Sequence, residues 1–348
     1  MAVAHSLTIV IPTYRRSAFL RRSLERLHDQ CPPAVRLVIL DNASPDDTEQ
    51  VVAESAARFA SGQLRYVRHP ANIGACANLL RAFEVADTEW VWVLGDDDEV
   101  LGDAVRLIEA AIHDHSDATC LSFRSLDNGK PRPRRCVTTS IGLCDFIDKL
   151  DYFCDILLMS TNVYRVAAIQ RFLRVGYFQC NSFAPHVAML LGCLRDLPAA
   201  KVVLATEQVV KWNAAAPGKT WDFSAVNRGI LELLRFAPNT KARQVLAHKI
   251  AIVFSRAPYA PSPVRLISTI GQGKEAVQDQ LELYGFLASQ LPSYLFGCGV
   301  MLLLSAIMAV TGGLLPASVR AFRRTFRRQP NKLAYRPPFA SAIEGDRN

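Results

Sequence analysis

Hydrophobic residues in the first third of the chain fall into short, near-continuous runs separated by amphipathic stretches. Leu7–Ile11 (LTIVI), Val35–Leu40, Leu64–Arg68, Trp90–Leu94 and Ala118–Phe123 read as strands, because a strand buried on both faces shows no polar alternation. Between them, Ala18–Gln30, Thr48–Ala60, Ala75–Val85 and Asp103–His113 carry apolar residues at helical spacing. In the first of these helices Leu20, Leu24 and Leu27 share one face, and Ser17 is the expected cap. This alternation predicts an α/β fold with a doubly wound, mostly parallel sheet flanked by helices.

Asp127–Arg135 (DNGKPRPRR) is a polar, proline-rich break, the expected boundary within the first region. Beyond it the pattern is mainly helical, over Ala167–Val175, Pro185–Leu194, Phe223–Phe236 and Lys241–Phe254, with a short strand at Lys201–Leu204. The reading divides the chain into residues 1–125, 126–215, a helical extension over 216–282 and an apolar, basic region over 283–348.

That last region has unusual chemistry. Residues 283–319 hold no charge, and Leu295–Leu315 is long and apolar enough to span a bilayer. Arg320, Arg323, Arg324, Arg327 and Arg328 follow, interleaved with Phe322 and Phe326, as in helices that lie on anionic lipid. A cytoplasmic body followed by one span would put these arginines outside, against the positive-inside rule. In-plane or re-entrant association is therefore preferred to a span, and a buried helical hairpin is the soluble alternative.

Composition narrows the picture. With 348 residues, half of them hydrophobic, the chain can fill a sizeable core and is not disordered as a whole. The net charge is +8, but the eight Lys/Arg and two Asp/Glu from Ala317 onward contribute +6, leaving +2 for the body. The basic balance thus describes a tail and does not point to nucleic acid. Nine scattered cysteines without a C-x-x-C pair argue against a disulfide framework or zinc site. The N-terminus lacks the charged and apolar regions of a signal peptide.

Candidate chemistry centres on Trp90–Asp98 (WVWVLGDDD), an apolar run that stops in three carboxylates. Ligands of open α/β sheets sit at the carboxyl ends of strands, and adjacent aspartates need something cationic between them. A hard divalent cation does this, commonly keeping a substrate phosphate in its shell. A metal-bound diphosphate is expected there; the alternative is an acidic turn capping the next helix. Strand one would deliver Pro12, Thr13 and Tyr14 to the same crevice, and strand two Asp41 and Asn42. No G-x-G-x-x-G follows strand one, and no G-x-x-x-x-G-K-[ST] occurs, so neither a dinucleotide dehydrogenase nor a P-loop NTPase is supported.

The segments IVIPTYRR, VILDNASPDDT, the N-I-G-x-x-x-N run (Asn72, Gly74, Asn78) and VWVLGDDD resemble, in order and spacing, family 2 glycosyltransferases. The resemblance covers residues 5–125 well and 126–215 loosely. It implies a GT-A fold, a nucleotide-sugar donor with a UDP-sugar favoured, Mg²⁺ or Mn²⁺, and transfer to a hydroxyl of a glycan or lipid-linked acceptor with inversion. Pro12, Thr13 and Tyr14 resemble the loop lining the nucleotide, and Asp41 the carboxylate that reads the base or ribose. Asn42, Asn72, Gly74 and Asn78 fall among the donor-binding positions. Ala77 stands where the family often has a phosphate-binding arginine, and Arg81 or Arg68 are the substitutes considered. The aspartates resemble the D-x-D motif, whose first position is Gly95 here. Asp96 would face the ribose or donor sugar, and Asp97 or Asp98 would bind the metal.

No Glu-Asp pair occurs in the chain, so the family's usual base is missing. His186 lies near its expected position, and a neutral imidazole can accept a hydroxyl proton; the other reading is a satisfied histidine at a helix start. Asp151 and Asp155 are further carboxylates on a face expected to be solvated. Trp90 and Trp92 are read as strand packing, Asp46 and Asp47 as the first turn of a helix. Trp212-Asn213 and Gly218–Trp221 form a polar, aromatic loop that either closes over a donor or anchors helices. Taken together, the expectation is a glycosyltransferase of bacterial surface-polysaccharide synthesis at the cytoplasmic face of the inner membrane. The rivals are a nucleotidyltransferase, which would want a glycine-rich basic loop after strand one, a non-catalytic nucleotide-sugar-binding scaffold, and a structural membrane protein.

Overall fold

The computed structural model describes residues 7–127, 130–131, 136–212, 229–254, 283 and 285–291. Ten strands form one sheet: β1 (Leu7–Thr13), β2 (Arg36–Asp41), β3 (Leu64–Arg68), β4 (Trp90–Val93), β5 (Glu99–Val100), β6 (Cys120–Asp127), β7 (Lys130–Pro131), β8 (Thr138–Ile141), β9 (Asn162–Arg165) and β10 (Lys201–Trp212). Their order is β3-β2-β1-β4-β9-β6-β10-β5, with β7 on β6 and β8 on β10. The helices are α1 (Ser17–His28), α2 (Thr48–Ala56), α3 (Ala75–Val85), α4 (Ala104–Asp114), α5 (Gly142–Lys149), α6 (Phe153–Leu157), α7 (Val166–Ile169), α8 (Leu173–Phe178), α9 (Pro185–Asp196) and α10 (Thr240–Phe254).

β3, β2, β1 and β4 are parallel, as the alternating pattern predicts. β9 then runs antiparallel to both β4 and β6, which makes the sheet mixed. Nothing in its four residues (NVYR) advertises a strand; it forms because the facing edges of β4 and β6 each need a partner for their backbone groups. Leu7, Ile9 and Ile11 of β1 pack against Leu20, Leu24 and Leu27 of α1 and Val105 and Ile108 of α4 in one continuous core. α3 covers the other face of β1, β2 and β4, and α8 and α9 pack beside it. Trp90 and Trp92 are wholly buried, confirming strand packing; burying a large apolar side chain contributes roughly 1.5–3 kcal/mol.

Two expectations of local structure change. Ser17 is the first residue of α1 and makes no side-chain cap. Its amide donates to Asp46 Oδ2 (3.2 Å), while Asp46 Oδ1 accepts from Thr48 Oγ1 (2.6 Å). Asp46 therefore serves the start of α1 from the neighbouring loop. Burial would raise its carboxyl, but the hydrogen bonds from Thr48 and Ser17 outweigh that and hold it low.

The chain divides into two compact units, residues 1–219 with 235–242 and residues 220–234 with 243–348. The first holds the entire sheet, so residues 1–125 and 126–215 share one framework. In the second, the described residues are mainly helical. Among the described residues no helix is long and apolar enough to cross a membrane. Leu295–Leu315, the arginine-rich segment after it, most of 216–282 and the loop over 213–228 lie outside the described residues.

Candidate active site

Parallel register brings the carboxyl ends of β2, β1 and β4 side by side. Thr13 lies opposite Asp41, and Val10 opposite Val93. Neighbouring strands are about 4.8 Å apart, so the loops that follow them lie side by side. Arg15 and Ala43 adopt left-handed backbone conformations (φ 56° and 60°) in the loops after β1 and β2. The Arg15 amide donates to Ser44 Oγ (3.0 Å), tying the two loops together. Backbone of this kind in non-glycine residues persists where surrounding structure enforces it, commonly at ligand-binding loops.

After β4 the chain stays in register for one more residue, the Leu94 amide donating to the Val10 carbonyl (2.9 Å). It then turns at Gly95, whose carbonyl accepts from the Asp98 amide (3.2 Å). A Cβ at position 95 would lie 2.9 Å from Asp98 Oδ2 and 3.2 Å from Ser160 Oγ. The Asp98 carboxylate thus fills the space a side chain at 95 would take, which is why glycine stands there.

Each aspartate has a distinct neighbourhood. Asp96 Oδ2 accepts from Thr13 Oγ1 (2.8 Å), its Oδ1 from Arg16 Nη1 (3.0 Å), and its carbonyl from Ser23 Oγ (3.1 Å). The same Arg16 nitrogen donates to Asp97 Oδ2 (3.0 Å). Asp98 Oδ2 accepts from Ser160 Oγ (2.6 Å), and that hydroxyl accepts from the Gly95 amide (2.8 Å). Burial pushes the Asp96 carboxyl up to about 6, against the pull of Arg16. Two carboxylate oxygens already converge on one positive charge, so the donor chemistry fits a divalent cation. Among the described residues no group of three acidic, histidine or cysteine side chains surrounds a single point. The fit is to a cation held by one or two carboxylates and completed by substrate phosphate and water, the habit of Mg²⁺ and Mn²⁺.

The remaining expected site residues divide by exposure. Tyr14 and Asn72 are exposed at the crevice loops, and Pro12 is half-buried in β1. Gly74 takes a left-handed turn (φ 86°) ahead of α3. Asp41, Asn42 and Asn78 are buried and hydrogen-bonded within the framework. Asp41 accepts from the Ser44 amide (2.9 Å) and Tyr66 Oη (2.6 Å) and lies 3.4 Å from Arg68. Burial and this carboxylate push the Tyr66 phenol up to about 12. Asn42 holds Asn72 Oδ1 (2.9 Å) and the Ile73 amide (2.9 Å). Asn78 accepts from His69 (2.9 Å) and donates to the Leu40 carbonyl (3.2 Å). Of the two arginines considered for phosphate, Arg81 pairs with Glu84 on its own helix, and Arg68 donates to the Ser44 carbonyl (2.9 Å).

His186 is corrected. It is 3 % exposed at the start of α9, with Nε2 donating to the Leu157 carbonyl (3.0 Å). Its other nitrogen is buried without a hydrogen-bond partner. Burial pulls the imidazole down to about 4, so it is neutral at pH 7. An enclosed ring does not meet an acceptor hydroxyl; it pins the backbone three residues before Ser160. Asp155, expected on a solvated face, is buried 3.4 Å from Arg124. Arg16, Ser23, Tyr66 and Ser160 are site residues that the sequence reading passed over. Arg16 was findable as a cation in the loop after strand one; Ser160 carried no signal.

Residues 8–171 match the model of Glycosyl transferase family 2. The chain carries a family 2 glycosyltransferase domain. Abequosyltransferase RfbV of Salmonella typhimurium LT2 is 26% identical over 113 residues, 32% of this chain and 34% of that protein. The chain thus spans about a third of the length of the curated relatives it matches. In fold, the domain resembles Staphylococcus aureus TarS 1–349 in complex with UDP-GlcNAc, with TM-score 0.58, 15% identity and coverage of 91% of this chain and 92% of that one. It also resembles the Pyrobaculum calidifontis mannosyltransferase PcManGT in complex with GDP-Man and Mn²⁺, with TM-score 0.52, 15% identity and coverage of 94% and 89%. The fold is GT-A.

Proposed function

We propose that this glycosyltransferase moves a sugar from a nucleoside diphosphate, with a UDP-sugar favoured, to a hydroxyl of a glycan or lipid-linked acceptor, with inversion. The observation that carries the reading is the set of carboxylates after β4, meeting the β1 loop at Thr13 and Arg16. The relatives support it: one is named an abequosyltransferase, and two fold neighbours hold UDP-GlcNAc or GDP-Man with Mn²⁺.

In this reading Asp97 and Asp98 hold Mg²⁺ or Mn²⁺. When bound, the cation offsets the negative charge that grows on the departing nucleoside diphosphate. The chain's own residues prepare the site. Thr13 and Ser23 fix the Asp96 side chain and backbone, Ser160 holds Asp98, and Tyr14 and Asn72 offer exposed surface to the nucleotide. Asp41 and Asn42 set the shape of the wall behind it. Such fixed polar groups lower the barrier because they need not reorganise as charge moves.

The C-terminal sequence supports a place at the cytoplasmic face of a bacterial inner membrane, in cell-surface polysaccharide synthesis. The test is calorimetric titration of the full chain with UDP, GDP and dTDP, each with and without Mn²⁺. Cation-dependent binding of one nucleotide is expected and names the donor class. No binding of any by the folded protein overturns the proposal. Binding with no turnover of any donor sugar by added glycan acceptors or by vesicles would leave a nucleotide-binding scaffold instead.

A further inference from the structure

The Arg16 guanidinium pairs with two carboxylates of the cluster. One of its nitrogens lies 3.0 Å from both Asp96 Oδ1 and Asp97 Oδ2. Its side chain is 23% exposed, whereas both aspartates are 7% exposed. Arg16 therefore lies on the solvent side of the carboxylates and engages Asp97, one of the two that would hold a divalent ion. Its backbone is fixed, since its carbonyl accepts from the Phe19 and Leu20 amides (3.0 Å each) and starts α1. The side chain is the part that can move.

We infer that Arg16 and the divalent cation compete for Asp97, and that the displaced guanidinium becomes a ligand of the donor's diphosphate. A guanidinium and a doubly charged ion cannot share the same carboxylate oxygen, and repulsion at 3–4 Å costs several kcal/mol even at an effective dielectric near 20. The incoming metal turns Arg16 out of the cluster, while its tether at the head of α1 keeps it beside the crevice. The diphosphate arrives with the metal and supplies the anion that the guanidinium has lost. A planar fork of donors suits phosphate oxygens better than a point charge does. Arg16 then makes the site two-stage. Without donor it neutralises the aspartates and holds the metal off; with metal and donor together it adds a second cation to the leaving group. Nucleotide and metal therefore strengthen each other's binding, and by linkage the factor is the same in both directions.

The inference rests on the donor-site reading above, and its test separates the two. Full-length wild type, Arg16→Ala and Arg16→Gln are titrated with Mn²⁺ alone, and then with whichever of UDP, GDP or dTDP binds wild type, at saturating Mn²⁺. Arg16→Gln keeps a donor for Asp96 in case alanine unsettles the fold, and thermal melts establish that each variant is folded. Removing the competitor should tighten binding of Mn²⁺ alone by about three-fold, the worth of one partly exposed ion pair. The same variants should bind nucleotide about ten-fold more weakly, the worth of one charge-assisted hydrogen bond. Effects of opposite sign are the signature, since a merely structural arginine would weaken both. Both affinities unchanged, or both weakened, in a folded variant overturns the inference and leaves the donor site standing. No nucleotide binding by wild type overturns the donor-site reading and this inference with it.

Discussion

Ser160→Ala tests the architecture of the acidic loop most directly. The hydroxyl is buried and serves two groups, donating to Asp98 Oδ2 (2.6 Å) and accepting from the Gly95 amide (2.8 Å). Truncation leaves a buried backbone N–H without its partner, at about 1–3 kcal/mol, and removes a donor from a carboxylate, at about 1–2 kcal/mol. A loss of about 2–5 kcal/mol in the stability of the sheet domain follows, a shift of roughly 4–20 °C in Tm for a domain of this size. Urea denaturation followed by fluorescence should show a lower midpoint with unchanged slope. The second readout is Mn²⁺-dependent nucleotide binding, which should weaken because Asp98 is no longer held against Gly95. A loss below about 0.5 kcal/mol with normal binding would mean that the loop keeps its shape without Ser160, and the reasoning would fail.

Asp97→Ala and Asp98→Ala should each abolish the Mn²⁺-dependent part of nucleotide binding in calorimetry, and unchanged affinity in both would remove the metal site. Gly95→Ala places a methyl 2.9 Å from Asp98 Oδ2 and should displace that carboxylate, weakening Mn²⁺-dependent binding more than global stability; equal affinity for wild type and variant speaks against the close packing. His186 has a depressed folded value of about 4, so its neutral form contributes stability that is complete above the unfolded value near 6.5 and is lost as pH falls toward 4. His186→Gln should therefore cost about 2–3 kcal/mol less at pH 4.5 than at pH 7.5; a cost independent of pH would contradict the burial of a neutral ring. Deleting residues 317–348 should move the protein from the membrane to the soluble fraction at physiological salt, and an unchanged partition would rule this segment out as the anchor.

The parallel half of the sheet was legible because each strand there is buried on both faces and each helix repeats leucines at helical spacing. Leu20, Leu24 and Leu27 are read from sequence alone and are buried together. β9 was not legible. Four residues without a hydrophobic pattern become a strand because they fit between β4 and β6, which is a tertiary cause. The site follows the same division. Asp96–Asp98 announce themselves as three adjacent charges after an apolar run. Ser160 contacts them from 62 positions away, and no local rule marks a lone serine ahead of an unrecognised strand. The Tyr66 partner of Asp41 is not legible because it comes from the neighbouring strand, and which side chains meet is set by strand register. His186 was misplaced for a related reason, since sequence position puts it near the crevice while helix rotation turns it toward Leu157.

The strand order has a consequence for how the molecule is made. β4 ends at Val93, and the strand that covers its second edge begins only at Asn162. At roughly 5–20 residues per second of synthesis, the nascent chain carries an uncovered Trp-Val-Trp-Val edge for about four to fourteen seconds. An apolar open edge is a template for pairing with other chains. Three negative charges emerge from the ribosome directly behind it, in the place where charged residues guard sticky strands. Asp96, Asp97 and Asp98 are placed as gatekeepers during translation, and a chain neutralised at all three positions should aggregate more during synthesis however well its finished fold is packed.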